Sequence, residues 1–581
     1  MSRRKEETNI ENQSDVLKLS EKIVEASEAK QLHVETENAH LSDQITGLSQ
    51  ETSQPITTVF QKLTSLLMTI YILFYLCIFP LATHNQYFDV LSFRYNLFWK
   101  PTDIFGLLFI VSGMIFLILD AIFQKSEWRR SFKKQFDIRK WWKNLYFGDK
   151  CFFFLILSLG ISTLFAPYQY EAFWGNRGRS CGYCLWLSFF IAYILIRSFY
   201  HFRKFHLYLY LIAGAFPCLW GIANFFWIYP IDMLGMIPDN FVYKVTFVSS
   251  VGNINTYTSM IAVYFGTAFA LFLFSEKTGE KIISLLAYVI ASFAMIMGIS
   301  DSAVLAIAAV FAIAPFFAWK DLKKVFEYFF ALTIFFLTLI FTNYLTLREG
   351  RTIVYSFNKS ALLQIADTPL ATILCILFAV LSFTSILVYR KRVIVAVKSL
   401  KKIWLIILLI GILGSLAIFI DANTGHHADL YAPFRNIIIF SDDWGTGRGY
   451  IWKMAMTLYM KKLNLFQKLF GHGPDTFFIL SMDNYMNLMQ DKGYGLMDEC
   501  HNEYITYLIT IGAVGLLLYL TWTISNIATM LKKSRNIEGG AIAFGIIAYM
   551  AQAMVNLAVP ITLPIFMIIM FVGINASRTD Y

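Results

Sequence analysis

Apolar residues form long runs, separated by short polar connections, from residue 60 almost to the end of the chain. Each run has about 20 residues, the length that a helix needs to cross the hydrocarbon core of a bilayer. The pattern predicts about fourteen transmembrane helices, since only helices and closed barrels satisfy their backbone polar groups in lipid. The runs lie at residues 60–82, 102–123, 150–166, 183–200, 206–229, 256–274, 282–299, 302–319, 325–345, 370–389, 403–420, 503–530, 541–557 and 560–576.

The composition agrees with a membrane protein. Of the 581 residues, 57% are hydrophobic and only 15% are charged, and the mean hydropathy is +0.55. Soluble domains carry more charge than this. We therefore expect an all-α, polytopic membrane protein whose membrane domain spans residues 56–577.

Residues 1–55 differ from the rest. They are polar throughout, with 6 Lys/Arg and 11 Asp/Glu, so no cleavable signal peptide is indicated. We expect a partly disordered cytoplasmic tail and assign it no chemistry.

Basic residues in alternate connections predict the topology, because short loops rich in Lys and Arg stay cytoplasmic. The connection after the second run is strongly basic, and every second connection after it is basic too, at residues 203–204, 277–281, 320–324, 390–402 and 532–535. Both termini are then cytoplasmic. The number of membrane helices depends most on the tight turn at Ser300 to Ser302 and on the last pair of runs around Pro560. Losing one helix at either place would invert the predicted orientation of every later segment.

The same alternation makes residues 421–502 one large extracytoplasmic loop. Loops of this length are usually functional or disordered, and this one is too aromatic for disorder. Residues 449–474 predict an amphipathic helix in it, ended by Gly471 and Pro474. Its apolar face carries Trp452, Ala455, Tyr459, Leu463, Phe466 and Phe470, and its polar face carries Lys453, Thr457, Lys461, Asn464 and Lys468. Two placements fit: flat on the outer leaflet, or packed on the transmembrane bundle.

Two side chains in this loop are candidates for chemistry. Arg448 precedes the first helical turn, where a guanidinium and free N–H groups together suit a phosphate; the alternative is an arginine that snorkels to the interface. His501 is expected about one turn inside the next helix, with Asp498 as N-cap. The helix dipole lowers the imidazole pKa and the nearby carboxylates raise it, which predicts titration near neutrality and suits a general base. The alternative is an interfacial histidine with a structural role.

Arg177 and Arg179 lie between the third and fourth runs, on the outer side, where positive charge is unusual. They are candidates for a second phosphate contact. Cys181 and Cys184 have CxxC spacing without a second pair, so chance or a local disulfide is favoured over zinc.

A metal site within the large loop is the other possibility. Asp442 and Asp443 are adjacent, and His426, His427, His472 and His501 share the loop, but no HxxxH or HxE spacing occurs. We predict no metal and no cofactor. Nucleic-acid binding is not indicated, because the basic residues are explained by topology.

Several motifs in a fixed order resemble the bacterial O-antigen ligase and O-antigen polymerase superfamily. They are WGNRGRSCGY, then GNINTYTSMIAVYFG, SDSAVLAI, GRGYIW with FGHGPDTF, and HNEYITYLITIGAVGLLLY. The resemblance is strongest over residues 290–520. An R-x-x-x-W, a G-x-G and an HN-x-Y that precedes a G-x-x-G membrane helix are moderately specific together.

The resemblance implies a glycosyltransferase that moves a glycan from an undecaprenyl-diphosphate donor to a hydroxyl acceptor on the outer face of the cytoplasmic membrane. The implied transfer needs neither a nucleotide sugar nor an essential metal. The family's histidine matches His501, and its R-x-x-x-W arginine matches Arg448. The arginine of the earlier loop is Arg177 or Arg179.

Asn502, Glu503 and His472 are possible supporting residues. The chain departs from Gram-negative ligases by its polar tail and two extra runs, so the acceptor need not be lipid A core and polysaccharide, lipid and protein stay open. The main alternative function is a transporter or flippase for a lipid-linked or anionic substrate. Arginines converging beside His501 would favour transfer, and a central polar cavity would favour transport.

Overall fold

The computed structural model describes residues 56–123, 138–143, 145–176, 179–235, 246–348, 360–393, 395–425, 427, 430–431, 438–491, 498–532 and 537–577. The predicted tail at residues 1–55 lies outside this range, as do Arg177 and His426. The chain divides into a unit that ends at Thr64 and a second unit from Ser65 to Tyr581.

The described residues are almost entirely helical. The α-helices are α1 (Ile56–Leu73), α2 (Val90–Phe123), α3 (Ile138–Lys143), α4 (Phe147–Leu164), α5 (Gln169–Trp174), α6 (Tyr183–Phe199), α7 (Lys204–Phe225), α8 (Ile254–Phe274), α9 (Thr278–Met297), α10 (Ser302–Ala318), α11 (Leu322–Arg348), α12 (Ala361–Ala366), α13 (Pro369–Arg390), α14 (Val397–Thr424), α15 (Trp444–Thr457), α16 (Leu465–Phe470), α17 (Phe477–Asp491), α18 (Glu503–Thr510), α19 (Gly512–Lys532), α20 (Ile537–Gln552) and α21 (Leu563–Ala576). Short π-helical turns (Phe74–Ile78, Leu458–Lys462) and 3₁₀ turns (Phe79–Leu81, Ala553–Val555) extend some of them. Two short strands, β1 (Phe247–Val248) and β2 (Gly252–Asn253), pair antiparallel, with Phe247 opposite Asn253.

The all-α class is confirmed, and every predicted apolar run lies mostly in helical structure. Within the described residues, 11 helices are long and apolar enough to cross a membrane, and three shorter apolar helices accompany them: Tyr183–Phe199, Ser302–Ala318 and Leu563–Ala576. The count of fourteen spans and the large outer loop stay predictions.

The helices differ sharply in burial. Nearly every residue of α8 from Thr256 to Leu273 is buried, whereas Ala422 is the one buried residue of α14. Helix α8 packs closely on α20 because two glycines remove side chains from the contact: a Cβ on Gly545 would lie 2.4 Å from the Val263 carbonyl oxygen, and one on Gly266 equally close to that of Phe544. Small residues allow such close approach where lipid gives no hydrophobic driving force.

The predicted continuous helix over 503–530 is wrong in detail, since it breaks into α18 and α19 at Gly512. This glycine has φ +74°, and a Cβ on it would lie 2.3 Å from the Leu469 carbonyl oxygen. The N–H groups of His472 and Gly473 donate to the carbonyls of Ile509 (3.0 Å) and Thr510 (2.9 Å). The segment from Gly471 to Gly473, called the GHG segment, therefore packs directly on the helix break.

The single amphipathic helix over 449–474 is wrong too. Asn464 starts a new helix, because its side chain accepts from the Gln467 N–H (2.9 Å) and the Gln467 side chain accepts from the Asn464 N–H (3.1 Å). Before it, Ala455 and Leu463 are buried in one cluster with Phe477. The apolar face of α15 thus packs on neighbouring segments of the protein, mainly residues 458–500 and Ile509 of α18.

Candidate active site

His501 lies just before a helix, not inside one. Helix α18 begins at Glu503 and Asn502 is its N-cap, because the Asn502 Oδ1 accepts from the N–H groups of Tyr504 (3.0 Å) and Ile505 (3.1 Å). The expected N-cap, Asp498, is therefore wrong. His501 itself has φ +48°, the left-handed region that His, Asn and Asp tolerate better than most residues.

Trp452 fixes helix α15 beside this histidine. Its indole Nε1 donates to the carbonyl of Cys500 at 3.0 Å. Arg448 stands one turn earlier on the same helix face, because residues four apart are neighbours on a helix. The tryptophan of the R-x-x-x-W motif thus anchors the helix that carries Arg448 to the backbone that precedes His501. This role of Trp452 could not be read from the sequence.

Arg448 begins the regular part of α15, after three residues with left-handed backbone at Gly445 to Gly447. Its Nη1 donates to the Gly445 carbonyl at 2.8 Å, and its Nε is buried without a hydrogen-bond partner in the described part of the chain. Burial lowers the pKa of Arg448, partly opposed by the charge of Asp301. This desolvated guanidinium is suited to an incoming anion.

Arg179 comes from the earlier loop, between α5 and α6. Its Nη2 donates to the Asp498 carboxylate at 2.5 Å, and its Nε is also buried without a partner among the described residues. Burial lowers the pKa of Arg179, but the carboxylates of Asp498 and Glu499 outweigh it, so the net shift is upward. Arg177, the other candidate in this loop, lies outside the described residues.

The three groups share one electrostatic environment. The pKa of His501 falls to about 4, first because the ring is buried and then because Arg448 and Arg179 repel its charged form, while Asp498 acts in the opposite direction. The expectation of titration near neutrality is therefore wrong, since it took no account of burial. The imidazole is neutral at pH 7, and its buried Nδ1 has no hydrogen-bond partner within the described chain.

The remaining sequence candidates, Glu503 and His472, each have hydrogen-bond partners of their own. Glu503 is buried and accepts from the hydroxyls of Tyr519 (2.7 Å) and Tyr549 (3.1 Å). His472 Nδ1 pairs with the Thr476 hydroxyl at 2.9 Å, and burial lowers its pKa. Neither residue has a recorded contact with His501.

No group of three or more His, Cys, Asp or Glu side chains in the described residues has the arrangement of a metal site. Asp442 accepts from Lys453 at 3.0 Å. Cys181 and Cys184 are both free thiols, so the local disulfide is absent.

Two further buried acids, Asp475 and Glu499, interact with the charge of Arg179. Asp475 accepts backbone N–H groups, and Glu499 accepts from the Thr506 hydroxyl at 2.8 Å. Burial raises the pKa of Asp475 to about 7 and that of Glu499 to about 8. Together with Glu503 they line a cavity of about 20 Å³, room for one water molecule. An Asp after a Gly-Pro is indistinguishable in sequence from an ordinary turn residue, which is why no role was assigned.

Comparison with known proteins agrees with the later motifs, from GRGYIW to HNEY. Residues 360–520 match the model of the family described as O-antigen ligase, a segment that holds Arg448, Trp452 and His501. No curated protein matches the chain. The family match confirms the resemblance to the O-antigen ligase superfamily. With the many apolar helices, it indicates a multi-pass bacterial membrane protein.

Proposed function

We propose that this chain, which carries an O-antigen ligase domain at residues 360–520, transfers a glycan from an undecaprenyl-diphosphate-type lipid to a hydroxyl acceptor. In this proposal the reaction takes place on the outer face of the cytoplasmic membrane, with residues 421–502 outside and both termini inside. The donor is a lipid-linked glycan, and the acceptor is a polysaccharide, lipid or protein. The observation that carries the proposal is the convergence of two arginines, each with an unpaired buried Nε, on a neutral imidazole.

The chemistry follows from these groups. His501 takes the proton of the acceptor hydroxyl as its oxygen attacks the anomeric carbon. The bond from that carbon to the diphosphate oxygen breaks, and the lipid diphosphate leaves with the bonding electrons. Arg448 and Arg179 stabilise the charge that develops on the leaving group. Attack opposite the diphosphate inverts the anomeric centre.

Donor binding also raises the pKa of His501 in this proposal. A pKa of about 4 makes His501 a weak base in the free protein, and two guanidiniums contribute to that value. A diphosphate placed between them compensates their charge, so the pKa of His501 rises in the donor complex. The acid limb of kcat, which reports the complex, should then lie at higher pH than the acid limb of kcat/KM, which reports the free enzyme.

The direct test is an assay with purified protein in detergent or proteoliposomes, purified lipid-linked glycan, and candidate hydroxyl acceptors. We expect acceptor-dependent release of undecaprenyl diphosphate, which persists in EDTA because no metal takes part in the proposed steps. Activity lost in EDTA and restored by a divalent cation would contradict the metal-independent mechanism.

The transporter alternative predicts a different result in the same vesicles. A transporter moves the lipid-linked glycan between leaflets and leaves its diphosphate linkage intact. The convergence of Arg448 and Arg179 on His501 favours bond-breaking chemistry instead.

A further inference from the structure

The loop that carries Arg179 has a narrow neck formed by two glycines. A Cβ on Gly175 would lie 2.4 Å from the Cα of Ser180, and a Cβ on Gly182 would lie 2.3 Å from the backbone nitrogen of Gly175. Contacts this short exclude side chains at both positions. The two ends of the loop therefore touch backbone to backbone.

One carboxylate oxygen binds both sides of this neck. The Oδ2 of Asp475 accepts from the N–H of Asn176 at 2.7 Å and from the N–H of Cys181 at 2.9 Å. The loop between them is closed further by the Ser180 N–H, which donates to the Asn176 carbonyl at 3.0 Å. Arg179 thus projects from a turn whose two ends share a single buried acceptor.

Asp475 is itself held on the His501 side of the site. It follows the GHG segment, whose His472 and Gly473 N–H groups donate to the end of α18. Its backbone has φ +59°, which Asp and Asn tolerate and which Ala does not adopt without strain. Arg179 in turn pairs with Asp498, which lies three residues before His501. The Arg179 loop is therefore linked to the His501 segment through both Asp475 and Asp498.

We propose that Asp475 is the positioning residue for Arg179, and that it acts as a hydrogen-bond acceptor for the loop neck and not through its charge. The inference rests on the proposed function in one respect: Arg179 is taken as a ligand of the donor diphosphate. Both contacts use one oxygen, so an amide carbonyl at the same place can replace the carboxylate. Burial raises the pKa of Asp475, which agrees with a role that does not need the ionised form.

Two substitutions at Asp475 distinguish the need for a hydrogen-bond acceptor from the need for a negative charge. Asp475→Asn keeps an acceptor oxygen and tolerates the left-handed backbone, whereas Asp475→Gly removes the side chain without backbone strain. Asp483→Asn is the matched control, because Asp483 accepts from the Tyr168 hydroxyl at 2.7 Å and is exposed. We expect kcat/KM for the lipid-linked donor within about 3-fold of wild type for Asp475→Asn and Asp483→Asn, and reduced about 5- to 10-fold for Asp475→Gly, no more than for Arg179→Ala.

A double-mutant cycle shows whether the effect passes through Arg179. In an Arg179→Ala background, Asp475→Gly should cost less than about 2-fold, because the side chain it positions is gone. An undiminished loss in that background would assign Asp475 a general structural role and overturn the inference. An Asp475→Asn variant as poor as Asp475→Gly would overturn it as well, since charge or proton transfer would then be required.

A second readout does not depend on transfer activity. The Cys181 N–H is one of the two groups that Asp475 holds, and its thiol lies 3.5 Å from the Ala558 carbonyl oxygen. Maleimide labelling of Cys181, followed by peptide mass spectrometry, should be at least about 5-fold faster in Asp475→Gly than in wild type or Asp475→Asn. Equal rates in all three proteins would show that the neck is not held by Asp475. If no transfer is found for wild type but this labelling order holds, the proposed function fails while the role of Asp475 in the neck stands.

Discussion

Two loops far apart in sequence each carry an arginine whose charge lowers the pKa of His501, but the two arginines are held differently. Arg179 is paired with Asp498 and sits in a neck fixed by Asp475. Arg448 forms no ion pair among the described residues, and its guanidinium donates to the Gly445 carbonyl and the Thr446 hydroxyl. The Arg179 guanidinium is therefore held in place with part of its charge compensated by Asp498. The charge of Arg448 is not compensated by a directly paired carboxylate among the described residues.

The difference assigns unequal roles. A charge that is desolvated and unpaired gains most from an anion, because the cost of its burial is offset only when the ligand arrives. Arg448 should thus contribute most to stabilising the leaving diphosphate. Arg179, whose pairing with Asp498 competes with the ligand, should contribute less.

The largest effect is expected at His501. Removing a general base typically costs about 10²- to 10⁴-fold in kcat. His501→Asn is preferred to His501→Ala because Asn tolerates the φ of +48°. Both variants should abolish transfer while the protein stays folded and inserted in the membrane, as judged by size-exclusion chromatography in detergent. The exposed His427 supplies the control, His427→Ala, which should keep full activity.

Arg448→Ala should come next, with kcat/KM reduced about 10²- to 10³-fold through lost stabilisation of the leaving group. Arg448→Lys should recover only part of this loss, because lysine lacks the planar fork. Lys453→Ala on the same helix is the control, since Lys453 pairs with Asp442 at the surface. Full activity in both Arg448→Ala and His501→Asn would reject the assigned roles.

Arg179→Ala should cost less than Arg448→Ala, about 10-fold in kcat/KM. Steady-state kinetics with purified lipid-linked donor measures both variants side by side. A larger loss at Arg179 than at Arg448 would reverse the comparison between the two loops.

Asp498→Asn should have the smallest effect on transfer, within about 3-fold. The pair that it breaks is partly exposed, and such pairs contribute little. Because Asp498 opposes the lowering of the His501 pKa, its removal should move the acid limb of kcat/KM to lower pH. A limb that moves upward would contradict the proximity of these groups.

Stability should respond to pH through Glu499. Burial raises its pKa from 4.5 to about 8, so its stabilising contribution is complete below pH 4.5 and is lost as pH rises through about 8. The unfolding temperature in detergent should therefore fall between about pH 4.5 and pH 8 and change little above that through this group. Glu499→Gln should weaken this dependence, whereas Asp483→Asn should leave it unchanged. A pH profile identical in wild type and Glu499→Gln would argue against a buried neutral carboxyl.

Much of the fold follows from local pattern. Apolar runs near 20 residues specify helices because lipid leaves the backbone no alternative, and even the turn at Ser300 to Ser302 separates α9 from α10 as expected. The helix break at Gly512 was missed, because a glycine in an apolar run signals a break only when its neighbour is known. That neighbour, the Leu469 carbonyl, comes from a segment about 40 residues away in the chain.

The sequence supplied candidates for the site but not their surroundings. His501 and Arg448 stand at recognisable motifs and were candidates from the sequence alone, whereas the sequence left Arg177 and Arg179 as alternatives. The helix start was misplaced by a few residues because Asp498 and Asn502 are both good N-caps, and the Asn502 amide is the one that reaches two free N–H groups. The pKa of His501 and the role of Asp475 depend on burial and on contacts between distant segments, which local sequence does not encode.

The central claim is that Arg448 and Arg179 receive a diphosphate beside a neutral His501. Histidine NMR of the purified protein, with the His501 resonance assigned from His501→Asn, measures it directly. The account predicts a His501 pKa near 4 in the free protein that rises by at least about one unit with saturating undecaprenyl diphosphate, and a smaller rise in Arg448→Ala. A His501 pKa that stays the same when the diphosphate binds would contradict it.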